Sequence, residues 1–252
     1  MNELIIYDTL LVSFFITGLA ILILLFFVSA PYGKLYRNNW GPSINNKIAW
    51  FLMEVPTVII FFLIFLFSNR SIQPMAIIFS VIWMIHYVQR TFIFPFLIRG
   101  KSKMPIAIMS FGFIFNLVNT YLQAKWIFKF SPLYKVSWII TPFFISGIII
   151  FFSGYLINIQ SDYIIRNLRD PGEKRHKIPK GGFYKYISCP NYFGEITEWI
   201  GWAIMLWCIP GLLFAFWTIA NLAPRALSNH EWYKNEFPNY PKERKALIPF
   251  LL

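Results

Sequence analysis

Nine side chains between Asn158 and Tyr233 have the types and spacing to hold a polar ligand: Asn158, Asp162, Arg166, Arg169, Asn191, Glu195, Arg225, His230 and Tyr233. Asn158, Asp162 and Arg166 recur every four residues, so a helix carries them along one face. Asn191, Glu195 and Glu198 recur at i, i+4 and i+7, with Trp199 and Trp202 behind them. A helix cap needs one oxygen, so capping accounts for one of these acids and not for both together with Asn191. Between the two groups lie the turns Asp170-Pro171-Gly172-Glu173 and Ile178-Pro179-Lys180-Gly181-Gly182. Glycine amides and arginine forks together suit phosphate oxygens. There is no GxGxxG after a strand and no GxxxxGK[ST], so a nucleotide would have to bind among helices and loops. His230, taken alone, reads as a surface histidine.

A second constellation lies nearer the start of the chain. Trp50-Phe51-Leu52-Met53-Glu54-Val55-Pro56 puts a carboxylate near the beginning of an apolar helix, with Trp50 one turn below it. Such a carboxylate needs a partner or a proton; the plainer alternative is an interfacial glutamate favoured by the helix dipole. In Trp83-Met84-Ile85-His86-Tyr87-Val88-Gln89-Arg90, a ring, a phenol and a guanidinium fall on one face at i, i+4 and i+7. A phenol beside an apolar cavity is a hydrogen-bond donor for a carbonyl, whereas an aromatic and arginine belt is the interfacial alternative. Asn116, Asn119 and Gln123 recur at i, i+3 and i+7, a polar stripe read as interhelical hydrogen-bond glue.

The elements that position these groups follow from composition. The 252 residues are 57% hydrophobic and 13% charged, about half the charge of an average soluble domain, which makes the chain an integral membrane protein. Apolar runs long enough to span, roughly 20 residues, lie at 7–28, 50–67, 72–98, 105–123 and 136–159. A longer run from Glu195 to Leu227 is broken at Pro210-Gly211 and reads as two helices in a hairpin. The expected fold is therefore all-α, an integral membrane bundle of seven transmembrane helices in a single membrane domain, 1–252. The net charge of +12 would suggest nucleic acid in a soluble protein, yet here the basic residues sort by loop. With the N-terminus outside and the C-terminus cytosolic, eighteen lysines and arginines fall in inner loops and tail, against Arg70, Lys125, Lys129 and Lys135 outside, as the positive-inside rule requires. Abundant Ile, Asn and Lys point to a bacterial inner membrane over the endoplasmic reticulum. Two cysteines, Cys189 in a cytosolic loop and Cys208 in a helix, give no disulfide framework or metal site, and no obligate protein partner is implied.

The motifs resemble a known family. Asn158-Ile159-Gln160-Ser161-Asp162-Tyr163, Leu168-Arg169-Asp170-Pro171-Gly172-Glu173, Ile178-Pro179-Lys180-Gly181-Gly182, Gly194-Glu195-Ile196-Thr197-Glu198-Trp199 and the run Tyr240 to Phe250 resemble the C-terminal domain of the steroid 5α-reductases, the 3-oxo-5α-steroid 4-dehydrogenases. Tyr32-Gly33-Lys34, the Glu54 string and His86-Tyr87-Val88-Gln89-Arg90-Thr91-Phe92 are similar to the N-terminal signature of the same reductases. The resemblance implies an NADPH cofactor held by Asn158, Asp162, Arg169, Asn191, Glu195, Arg225 and Tyr233, mainly within 136–252. It implies a 3-oxo-Δ4-steroid in a cavity formed mainly within 1–135, walled by Trp50 and contacted by Glu54 and Tyr87. In that chemistry Tyr87, oriented by Glu54, is the donor to the 3-oxygen while hydride goes to C5. Three positions depart from the animal enzymes: Asn229 stands where they have a histidine, Phe111 where they have an arginine, and Asn221 where a bulky aromatic is expected near the steroid.

The same C-terminal motifs occur more loosely in enoyl thioester, polyprenal and sterol reductases, so another enone lipid is the main alternative substrate. A lipid methyltransferase is more remote. A transporter would place its polar site near the midplane, whereas here the polar residues gather toward the cytosolic side.

Overall fold

In hydrocarbon every backbone N–H and C=O needs an internal partner, which leaves an apolar chain of this composition few options besides helices. The computed structural model describes residues 2–29, 31, 33–37, 39–100, 102–169, 173 and 175–252. Its helices are α1 (Glu3–Phe27), α2 (Asn46–Leu66), α3 (Pro74–Val88), α4 (Phe94–Leu97), α5 (Ile106–Lys125), α6 (Pro142–Arg166), α7 (Pro190–Leu206) and α8 (Ile209–Glu236). Among the described residues five helical stretches are long and apolar enough to cross a membrane: Glu3–Phe27, Asn46–Leu66, Pro74–Leu97, Ile106–Phe130 and Pro142–Arg166. The chain is accordingly a multi-pass membrane protein. These five match the first five expected runs, so the difference from seven lies in the C-terminal pair. α7 has only 17 residues, and the second half of α8 carries Arg225, His230, Glu231, Lys234 and Glu236.

The hairpin between α7 and α8 turns at Trp207-Cys208 and not at Pro210-Gly211. Trp207 takes the left-handed conformation at φ 48°, and the Cys208 Sγ caps α8 by accepting from the Gly211 N–H at 3.4 Å. Pro210 then falls in the first turn of α8, where a missing N–H costs nothing. Cys208 is thus a cap and not a helix-interior residue.

The chain forms two compact units, Met1–Thr17 with Pro31–Phe144, and Gly18–Ala30 with Ile145–Leu252. In the first unit, β1 (Ser43–Asn45) pairs antiparallel with β2 (Lys103–Pro105), Ile44 opposite Met104, and joins the starts of α2 and α5. The Asn45 side chain accepts from the Lys47 N–H at 2.9 Å and caps α2. Phe61 stacks on Trp83 at 4.9 Å, and Phe128 packs edge-on against Phe61. Directly after α3 comes a wide π-helical turn, Gln89–Ile93, which holds Arg90 and Thr91 buried. Turns of this kind recur at functional sites.

The second unit is organised by glycines. On α6, Gly147 and Gly154 lie against Met205 and Glu198 of α7; on α7, Gly194 and Gly201 lie against Asn158 and Phe151 of α6. A Cβ at any of the four would sit closer than 3.0 Å to backbone of the opposite helix. The two helices therefore run antiparallel at near-backbone contact, as small residues permit. Trp199, Trp202, Phe151 and Met205 fill the space beside this seam.

Candidate functional site

The glycine seam continues directly into polar residues. One turn past Gly154, the Asn158 Nδ2 donates to the Asn191 backbone O at 2.9 Å and to Glu195 Oε2 at 3.2 Å. A further turn on, Asp162 Oδ1 accepts from Asn191 Nδ2 at 3.3 Å. Two amides and two carboxylates thus form one hydrogen-bonded ladder across α6 and α7, and its spacing follows from the helix period. On α8, buried Arg225 donates through Nε to the Tyr192 OH at 2.8 Å, and Asn229 Nδ2 donates to the same phenol at 3.4 Å. Tyr192, absent from the expected set, is the hub for both. Its helical spacing of one residue from Asn191 puts it on a different face, so sequence spacing gave no sign of it.

Arg169 stands apart. It is exposed, three residues past the end of α6, and not drawn into the ladder. Of the first expected turn, Asp170, Pro171 and Gly172 lie outside the described residues, as do Lys174 and, elsewhere, Tyr32 and Lys101. In the second turn Gly181 and Gly182 have φ of 90° and 49°, conformations only glycine adopts without strain.

A third group closes on the segment after α8. The backbone of Ser188 and Cys189 pairs with Lys245 and Ala246 through N–H donors at 2.8 and 3.2 Å. This places Ser188 Oγ 2.6 Å from His230 Nδ1 and 2.6 Å from the Tyr240 OH. His230 is therefore not a free surface histidine. Burial, with Lys234 nearby, lowers its pKa below the usual imidazole value. Tyr233 stacks on Tyr240 at 5.2 Å, and burial pushes its phenol far above the ordinary tyrosine range, so it stays a neutral donor. The Arg244 guanidinium lies 5.4 Å over the Tyr240 ring, buried, and its Nε and Nη1 have no partner among the described residues. A buried cation in that state is costly without an anion. The helical patterns do not reveal Arg244, because it sits in an irregular segment.

In the first unit Glu54 lies eight residues into α2 and is buried. It is thus beyond the first turn, where the helix dipole would favour it. Asn116 Nδ2 of α5 donates to Glu54 Oε2 at 3.1 Å and to the Met53 O at 2.8 Å. The Thr57 hydroxyl donates to the Glu54 O at 2.6 Å, and Trp83 Nε1 donates to the Thr57 O at 3.1 Å. The Trp83 ring lies 4.5 Å from the Tyr87 ring, and Tyr87 is 3% exposed, too buried for an interfacial belt. Arg90 lies buried in the π-helical turn, its guanidinium 4.9 Å over Trp50 and 4.3 Å over Phe94. Trp50, Glu54 and Tyr87 thus share a unit whose contacts connect α2, α3 and α5. Of the departures noted above, Phe111 and Asn221 are exposed, while Asn229 is buried on Tyr192.

The fold and these clusters define a multi-pass helical membrane protein with buried polar groups in both units. Sequence comparison then supplies the family. The profile described as 3-oxo-5-alpha-steroid 4-dehydrogenase matches residues 102–252. The chain is similar to the steroid 5-alpha-reductase of Arabidopsis thaliana, 41% identical over 236 residues, which covers 91% of this chain and 90% of that protein. It is 41% identical over 247 residues to the steroid 5-alpha-reductase of Solanum lycopersicum, covering 95% of each. To the 3-oxo-5-alpha-steroid 4-dehydrogenase 1 of Rattus norvegicus it is 39% identical over 229 residues, covering 89% of this chain and 87% of that protein. The chain belongs to the 3-oxo-5-alpha-steroid 4-dehydrogenase family, a family of oxidoreductases, which implies a nicotinamide cofactor.

Proposed function

We propose that this chain is an NADPH-dependent reductase of the Δ4 double bond of 3-oxo-Δ4-steroids, giving 5α-dihydro-3-oxosteroids. The observation that carries the reading is the buried Glu54, fixed by an amide donor, in the same packed unit as the buried phenol of Tyr87. Reduction of an enone at its β-carbon, C5, builds negative charge on the 3-oxygen. A preorganised donor aimed at that oxygen lowers the barrier. Tyr87 is that donor, Glu54 orients and polarises its hydroxyl, and Trp50 walls the ring system.

The residues of the second unit fit the cofactor. Asn158, Asp162, Asn191 and Glu195 offer amide and carboxylate groups for its amide and hydroxyls, and Tyr233 supplies a neutral hydroxyl. Buried Arg225, and Arg244, whose Nε and Nη1 are unpartnered among the described residues, supply charge for phosphates. Arg169, or a basic neighbour between Lys174 and Lys180, takes the 2′-phosphate. When bound, NADPH supplies the hydride; the protein supplies binding, orientation and a dry site. The distribution of basic residues supports a cytosolic C-terminus, and the abundance of Ile, Asn and Lys supports a bacterial inner membrane.

The test is NADPH oxidation by the purified full chain against a panel of a 3-oxo-Δ4-steroid, a polyprenal, a sterol intermediate and an enoyl thioester. The steroid should give the highest kcat/KM. Preference for another member would move the substrate class, and competition by S-adenosylhomocysteine but not NADP+ would replace reductase with methyltransferase chemistry. For orientation, a cysteine placed between Arg175 and Lys180 should resist an impermeant thiol reagent in intact cells and react after lysis.

A further inference from the structure

Asn116 belongs to a polar stripe whose spacing reads as interhelical glue, yet its contacts are more specific than that. Its Nδ2 serves acceptors on two consecutive residues of α2, the Met53 O at 2.8 Å and Glu54 Oε2 at 3.1 Å. A primary amide nitrogen carries two hydrogens, enough for both. The backbone carbonyl anchors the amide, and the amide then meets the carboxylate. Asn116 is 4% exposed and Glu54 8%, so water does not compete for this contact. The approach is set one turn earlier, where Gly112 lies directly against the Met53 side chain. A short asparagine can reach α2 only because the helices are this close. From the other side the Thr57 hydroxyl holds the Glu54 carbonyl and Trp83 holds Thr57. By contrast, Asn119, one turn further along the stripe, is fully buried with its Nδ2 unpartnered among the described residues. The stripe is not uniform glue.

We infer that Asn116 is a positioning residue for Glu54: its amide fixes one carboxylate oxygen, and with it the side-chain rotamer, so that the carboxylate meets the Tyr87 phenol in a single geometry. This rests on the proposed roles of Glu54 and Tyr87. A long carboxylate side chain without that anchor samples several rotamers, and small errors of placement are expensive in rate. Glue would behave differently, because removing it would lower stability without singling out kcat.

The experiment uses the full chain in detergent as wild type, Asn116→Leu, Asn116→Asp, Glu54→Gln, and each Asn116 variant combined with Glu54→Gln. Single-turnover rates on a 3-oxo-Δ4-steroid at saturating NADPH are read beside steroid KM, NADPH Kd and Tm. Asn116→Asp keeps the shape while replacing the donor by an acceptor, so it reports even where Asn116→Leu fails to fold. Each Asn116 variant should lower the rate about 10- to 100-fold, with NADPH Kd within about twofold of wild type because the change is remote from the proposed cofactor residues. In the Glu54→Gln background neither should cost anything more, since a residue acting through Glu54 has nothing left to position. Normal rates in both Asn116 variants, or losses that multiply with Glu54→Gln, overturn the inference while leaving the Glu54 reading intact. Near-normal turnover in Glu54→Gln alone removes the Glu54 reading and this inference with it.

Discussion

The two units bury polar groups by opposite means. In the first, buried Glu54 shares a unit with the packed rings of Phe61, Trp83 and Tyr87, and α5 reaches it with the short amide of Asn116. In the second, Asn158, Glu195, Asn191 and Asp162 form a ladder in which every member has a named polar neighbour, laid along two helices in near-backbone contact. A sparse arrangement concentrates its consequences in one or two atoms, whereas a ladder distributes them. Buried polar groups are costly unless satisfied, so the sparse unit suits a group whose hydrogen bond changes during reaction, and the ladder suits a ligand that must be held.

The harshest way to break the comparison is at the seam beneath the ladder. Gly154→Leu drives a side chain into the Glu198 backbone, which cannot move aside as a flexible side chain can. A cost of about 3 kcal/mol or more is expected for such overpacking, seen as a large fall in Tm together with loss of NADPH binding. A variant as stable as wild type would mean that α6 and α7 have room to part.

Next is the sparse site. Tyr87→Phe removes one hydroxyl and should lower single-turnover steroid reduction about 100- to 1000-fold, the usual loss for an oxyanion donor, with NADPH Kd unchanged. Glu54→Gln should show a loss of the same kind, and the double variant should be scarcely worse than the worse single one. Fully additive losses would separate the two residues.

Effects on the holding side should be smaller. NADPH should exceed NADH in kcat/KM by about 10- to 100-fold, the worth of one or two charge-assisted hydrogen bonds to a 2′-phosphate; equal values would remove that contact. Asn158→Ala, which deletes two hydrogen bonds of the ladder, should raise NADPH Kd about tenfold while the rate at saturation stays near wild type. A fall in saturated rate with no change in Kd would reverse the assignment of roles.

The smallest effect concerns pH. Burial holds the His230 pKa below its ordinary value of 6.5, so the folded state disfavours the imidazolium. Its contribution to stability is complete above about pH 6.5 and is lost as pH falls through the lower folded value. Between pH 7.5 and pH 5.5, Tm should fall less in His230→Gln than in wild type. Identical profiles would show that another group titrates.

Helical periodicity made much of this legible. The strings around Glu54 and Tyr87, and the four-residue spacing of Asn158 and Asp162, predict shared faces, and the structure places these residues on such faces. What was not legible is cross-helix pairing. Asn116 and Glu54 are 62 residues apart, and Tyr192 gathers Arg225 and Asn229 from a different helix, relations that no local spacing encodes. The hairpin turn falls at Trp207-Cys208 and not at the expected Pro210-Gly211 for a different reason. A proline and glycine together signal a break, but proline also starts helices well, and here Trp207 takes the left-handed position that glycine usually fills.

The α6 and α7 contacts recorded at Gly147, Phe151, Gly154 and Asn158 also make that stretch of chain a ruler. Each helical residue advances the facing direction by about 100°, so one residue inserted between Gly154 and Asn158 would swing the Asn158 amide out of line with Asn191 and Glu195 while deleting no atom of the ladder. A change of length is therefore excluded within that stretch, a constraint that substitution scanning would never detect.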